Sequence, residues 1–112
     1  MPITNEKLKD YPFLQEMYAD GYFPPFLVDK CKQVLIHLCE AIEAEKPADK
    51  ESLLRLTHAA THEINLLMPE FEENDSEFET GAREATGWDF RIIVKAYGFE
   101  TDGEDIISNR DW

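Results

Sequence analysis

Apolar residues recur along this chain at spacings of three and four, and no stretch alternates as a half-buried strand would. Proline and glycine divide the pattern into intervals. The first, Pro12 to Ala19, sets Phe13, Leu14, Met17 and Tyr18 on one side, opens with proline at an early helical position and stops before Gly21. A second interval starts at the Pro24-Pro25 pair and runs to Lys46, where Pro47 forbids continuation. Its apolar set, Leu27, Val28, Cys31, Val34, Leu35, Leu38, Cys39 and Ile42, covers one broad face. A third helix is predicted from Asp49, a good N-cap, to Met68-Pro69, with Leu53, Leu56, Ala60, Ile64, Leu67 and Met68 within roughly 120° of one another.

Ser76-x-x-Glu79 reads as a capping box, which places a fourth helix from about Glu77 to Tyr97 with Gly98 as its left-handed stop and room for a kink near Gly87. A second box, Thr101-x-x-Glu104, opens a short helix through Ile107. Such stripes can be buried only against one another. The expected fold is all-α, a compact single-domain bundle of three long and two short helices over residues 1–112.

With 112 residues, one hydrophobic core is the natural outcome. Charge narrows the functions. Residues 1–56 carry ten acids and seven bases, residues 57–112 fourteen and four, so most of the net charge of −13 lies in the second half. Phosphate backbones and anionic lipids are bound by Lys and Arg, so no nucleic-acid and no membrane partner is expected, whereas a basic protein or a cation would be attracted. No long apolar run and no basic-then-apolar leader appears, which gives an expectation of a soluble, cytoplasmic protein. Cys31 and Cys39, eight apart on one helix, stand about 12 Å from each other, too far for a disulfide, and are expected as reduced core thiols.

Three groups of residues invite chemistry. His58 and His62 lie four apart, and with His37 they could supply the three imidazoles a divalent metal needs. The helical period turns His37 and His62 toward water, so no cofactor is expected, with a divalent metal as the alternative. Asp89 is more informative: its phase puts a carboxylate among Ala82, Ala85, Ile92, Ile93 and Ala96, in the middle of an apolar stripe. A buried carboxylate needs a partner or a proton, and Thr57, Arg83, Arg91 and the tyrosines are the candidate donors. The N-terminal stretch holds six of the thirteen aromatics, Tyr11, Phe13, Tyr18, Tyr22, Phe23 and Phe26, a density that suits a core lid or a binding surface. Tyr22 and Phe23 join Asp89 and Thr57 as candidate binding residues. The acidic run EFEENDSEFE lacks the glycine-turned calcium loop and reads as a solvated helix N-terminus. Phosphate loops and nucleophile elbows are missing as well, so no catalytic residue is assigned.

The strings YPFLQEMYADGYFPPFLVDK, LTHAATHEIN, EFEENDSEFET and ISNRDW, in this order, resemble an uncharacterised bacterial family of small acidic helical proteins known only as a domain of unknown function. The resemblance spans nearly the whole chain. It implies a free-standing bacterial cytoplasmic protein and assigns no activity to any residue. The function expected from size and charge is a non-catalytic protein-interaction domain, monomer or small homo-oligomer, that neutralises a basic partner as immunity or antitoxin proteins do. The alternative is a small-molecule or divalent-metal-dependent enzyme with a His/Asp site in the bundle.

Overall fold

The computed structural model describes residues 3–112. Six helices follow in order: α1 Gln15–Ala19, α2 Pro25–Glu45, α3 Lys50–Asn65, α4 Met68–Glu73, α5 Thr80–Ala96 and α6 Gly103–Ile106. No strand occurs among the described residues, so the chain is all-α, with three long helices as its frame. The eight apolar residues that the spacing placed on one face of α2 are all buried. That face packs on α3, while α5 runs against α1, α2 and α6. Large side chains from every part of the chain, Leu8, Leu14, Met17, Phe71, Phe90 and Ile106 among them, close one core. Cys31 and Cys39 are buried and unlinked, and burial pushes both thiols up to about 12, which keeps them protonated and unreactive.

Several helix ends differ from the sequence expectation, each for a local reason. The third helix does not run to Met68-Pro69. It stops at Asn65, and Pro69 instead occupies the first turn of α4, where its missing N–H is harmless. This turn exists because it drives Phe71 into the core. The capping box at Ser76 does not form: the Ser76 N–H donates to the Phe71 carbonyl (2.9 Å) and the Asp75 N–H to Glu72 (3.1 Å), with Asp75 left-handed at φ 56°. Those two bonds are the Schellman stop of α4, so Ser76 ends one helix rather than starting the next, and α5 opens at Glu79 with no side-chain cap. The box at Thr101 is displaced by one residue, because the Asp102 carboxylate takes the Glu104 N–H (2.9 Å). Gly98, at φ 88°, does terminate α5, with the Phe99 N–H on the Val94 carbonyl (3.0 Å).

Helix α5 passes through Gly87 without interruption. A methyl group there would meet Ile107 Cδ1 at 3.6 Å, an ordinary contact. Gly87→Ala is therefore expected to raise stability by about 0.5–1 kcal/mol through helix propensity, read from the urea midpoint. A lower midpoint would mean that Ile107 has no freedom to accept the contact.

Candidate functional site

Asp89 lies on the inner face of α5, only 4% exposed, as its helical phase required. Both carboxylate oxygens are engaged. The Tyr11 hydroxyl donates to Oδ1 (2.7 Å) and the Leu14 backbone N–H donates to Oδ2 (2.7 Å). Leu14 is the N-cap of α1 and holds a left-handed backbone, φ 57°, that a residue of its type seldom adopts. Asp89 therefore acts as a latch: it accepts the N–H exposed by that turn and fastens the N-terminal segment to α5. Burial raises the Asp89 carboxyl above its ordinary value, the bonds from Tyr11 and Leu14 oppose the shift, and the nearby Glu16 charge adds to it.

A hollow of about 320 Å³ opens beside the latch, lined by Tyr11, Leu14, Glu16, Glu84, Trp88 and Asp89 among others, with no histidine. Of the donors considered from sequence, a tyrosine supplies one bond. Thr57 does not reach Asp89: it is buried on α3 and donates to the Leu54 carbonyl (3.2 Å). Arg83 and Arg91 point elsewhere, Arg83 to the Thr80 hydroxyl and Arg91 over the Trp88 ring.

The three histidines are not brought together. His37 and His62 are exposed on different helices. His58 donates from Nε2 to the Asp105 carbonyl (2.8 Å) and accepts at its own carbonyl from Asn109 Nδ2 (2.9 Å), which ties α3 to the C-terminal segment. Among the described residues no group of three His, Cys, Asp or Glu side chains is placed to hold a metal ion.

The aromatic N-terminal stretch divides between the two roles considered for it. Phe13 and Phe23 are buried, whereas Tyr18, Tyr22 and Phe26 remain exposed. Tyr22 stands edge-on to Phe23 at 5.1 Å, and its hydroxyl accepts the Glu77 N–H (3.0 Å). That bond seats the ring, 42% exposed, against the acidic run. Glu70 in the run pairs with Lys30 of α2 (2.6 Å). Glu72, Glu73, Asp75, Glu77 and Glu79 are exposed and have no ion-pair partner among the described residues.

One polar hub was not singled out from the sequence. The Glu43 carboxylate on α2 accepts from the Thr4 N–H (3.0 Å), the Thr4 hydroxyl (3.0 Å), the Asn5 N–H (3.0 Å) and the Tyr97 hydroxyl (2.5 Å). Glutamate on a polar helix flank carries no signal of this kind, because its donors lie far away in the chain. No helix among the described residues is long and apolar enough to cross a membrane. A family model described as a family of unknown function (DUF5713) matches residues 7–112. No curated protein and no solved structure matches the chain.

Proposed function

The chain belongs to this family of unknown function, and since membership carries no activity, we propose from its surface that it is a non-catalytic interaction protein of the bacterial cytoplasm whose acidic face binds and neutralises a basic segment of another protein, as immunity or antitoxin proteins do. The observation that carries this reading is the seating of Tyr22 on the acidic run: a half-exposed ring bonded at Glu77, in a run with five carboxylates that have no ion-pair partner among the described residues. A lysine or arginine side chain arriving there meets both a carboxylate and an aromatic face. Carboxylates in such number also draw a basic partner in over distance, and they repel nucleic acid and anionic lipid. The enzyme alternative finds less support, because the hollow beside Asp89 has no histidine and both oxygens of that carboxylate are already bonded.

A ten-residue lysine peptide is a sufficient probe. Titrated into isotope-labelled protein at low salt, it is expected to move the amide signals of residues 72–79 and the ring signals of Tyr22, with affinity falling steeply as salt is raised. Tyr22→Ala is expected to weaken it about threefold, the size of an exposed cation–π contact. Shifts centred elsewhere, or an affinity indifferent to salt, would overturn the reading.

A further inference from the structure

A second hollow, away from Asp89, brings arginines together. A cleft of about 680 Å³ lies between α5 and the segment that carries α6, and three of the chain's four arginines line it, together with Trp88 and Trp112. Arg110 is already occupied: it pairs with Glu104 (2.9 Å) and donates from Nε to the Trp112 carbonyl oxygen (3.2 Å). Arg83 and Arg91 differ. Neither has a carboxylate within salt-bridge distance among the described residues, although acids outnumber bases by 24 to 11 in the chain.

Their placement follows from spacing. Arg83, Gly87 and Arg91 succeed one another at four-residue intervals, so they share one face of α5, with the two arginine Cα atoms about 12 Å apart and a bare glycine between them. Gly87 weakens the helix, and no close contact requires it, since a methyl group would fit. What the missing side chain leaves is a low floor, bordered by Ile107, between two guanidinium groups. Trp88, 56% exposed, forms the adjoining wall, and the Arg91 guanidinium lies 5.6 Å from its ring centroid.

Arg91 is also held in position. Its Cδ crosses Gly103 so closely that a methyl group on that glycine would come within 2.9 Å, so Gly103 is the clearance that lets the side chain lie across the cleft. Three acids border the cleft as well. Asp102 caps α6 and Glu104 pairs with Arg110, which leaves Glu84, on the rim shared with the hollow at Asp89, as the acid without such a role.

We infer that this cleft is a binding site for a small aromatic carboxylate, whose ring lies on Trp88 beside Gly87 and Ile107 and whose charge is taken by Arg83 and Arg91. An exposed tryptophan supplies the apolar contact, and the planar guanidinium suits a carboxylate through paired N–H donors. This site adjoins the acidic face, since Thr80 and Arg83 also border a hollow lined by Glu77 and Glu79, but it selects the opposite charge through its guanidinium groups.

The probe is 2-naphthoate, with 2-naphthamide as the uncharged control and inorganic phosphate as the charge without a ring. In spectra of isotope-labelled protein, naphthoate is expected to shift the Trp88 indole N–H and the Gly87 and Gly103 amides saturably. Naphthamide is expected to bind about tenfold more weakly, as are naphthoate to Arg83→Gln and to Arg91→Gln. Arg83 is exposed and its loss should leave the melting temperature unchanged, which keeps the test informative even if Arg91→Gln disturbs α6. Four results would each overturn the inference: shifts that never saturate, naphthamide or phosphate binding as tightly as naphthoate, undiminished affinity in Arg83→Gln, or shifts confined to residues outside the cleft.

Discussion

Asp89→Ala is expected to lower the unfolding free energy by about 3 kcal/mol, measured from urea midpoints at neutral pH. The loss has two parts. The buried Leu14 N–H is left without an acceptor, a penalty of about 1–3 kcal/mol, and the left-handed turn at Leu14 loses the contact that holds it. Tyr11 is half-exposed, so its hydroxyl recovers part of its bond from water. Asp89→Asn is expected to keep most of the stability, because the amide oxygen can accept from Leu14 while its NH2 donates to the Tyr11 oxygen. Since the folded pKa of Asp89 lies above its ordinary value of 3.8, the folded state holds the proton more readily than the unfolded chain does. The proton-linked part of the carboxyl's contribution is therefore full below that ordinary value and is lost as pH rises through the raised one, while the bonds from Tyr11 and Leu14 persist at neutral pH. Wild type should accordingly gain on Asp89→Asn as pH falls through this window. A loss below about 1 kcal/mol for the alanine variant would mean that the latch does not hold α1.

Particular residues show how far sequence reasoning reaches. The buried face of α2 follows from spacing alone, since helical period and burial are the same geometric fact there. Asp89 follows for the same reason: its phase on α5 fixes its burial. Its partners do not, because Tyr11 and Leu14 precede it by 78 and 75 residues and are delivered by tertiary folding. Ser76 and Thr101 mark a different limit. Each begins an acceptable capping box, yet a local pattern cannot tell whether a residue at a helix boundary serves the helix before it or the one after, and Ser76 serves α4. Pro69 was ambiguous in the same way, as it can follow one helix or begin another. The Arg83, Gly87, Arg91 spacing was readable on α5, but only the approach of α6 makes that face the wall of a cleft.

Glu43→Ala is expected to remove about 2 kcal/mol, the second largest effect, and to release the N-terminal segment from the bundle. Four charge-assisted bonds would sum to more, but Thr4 is exposed and its donors return to water, so the net loss stays well below that sum. What remains is the joint between elements: Glu43 on α2 holds Asn5 and Tyr97, and Asn5 Nδ2 donates in turn to the Ala96 carbonyl (3.0 Å) at the end of α5. Burial pushes the Glu43 carboxyl up, yet the bonds from Tyr97, Thr4 and Asn5 outweigh it and bring the group down from 4.5 to about 2. The unfolded chain therefore binds the proton first as pH falls, and the contribution of Glu43 is full above 4.5 and lost on the way down to about 2. Glu43→Gln should flatten that acid limb of the stability curve, whereas Asp89→Asn removes a slope of the opposite sign. Amide exchange gives the direct check, since the Thr4 and Asn5 N–H groups should exchange faster in Glu43→Gln than in wild type at neutral pH. Equal exchange rates, with an unchanged acid limb, would show that the carboxylate does not hold the segment in solution.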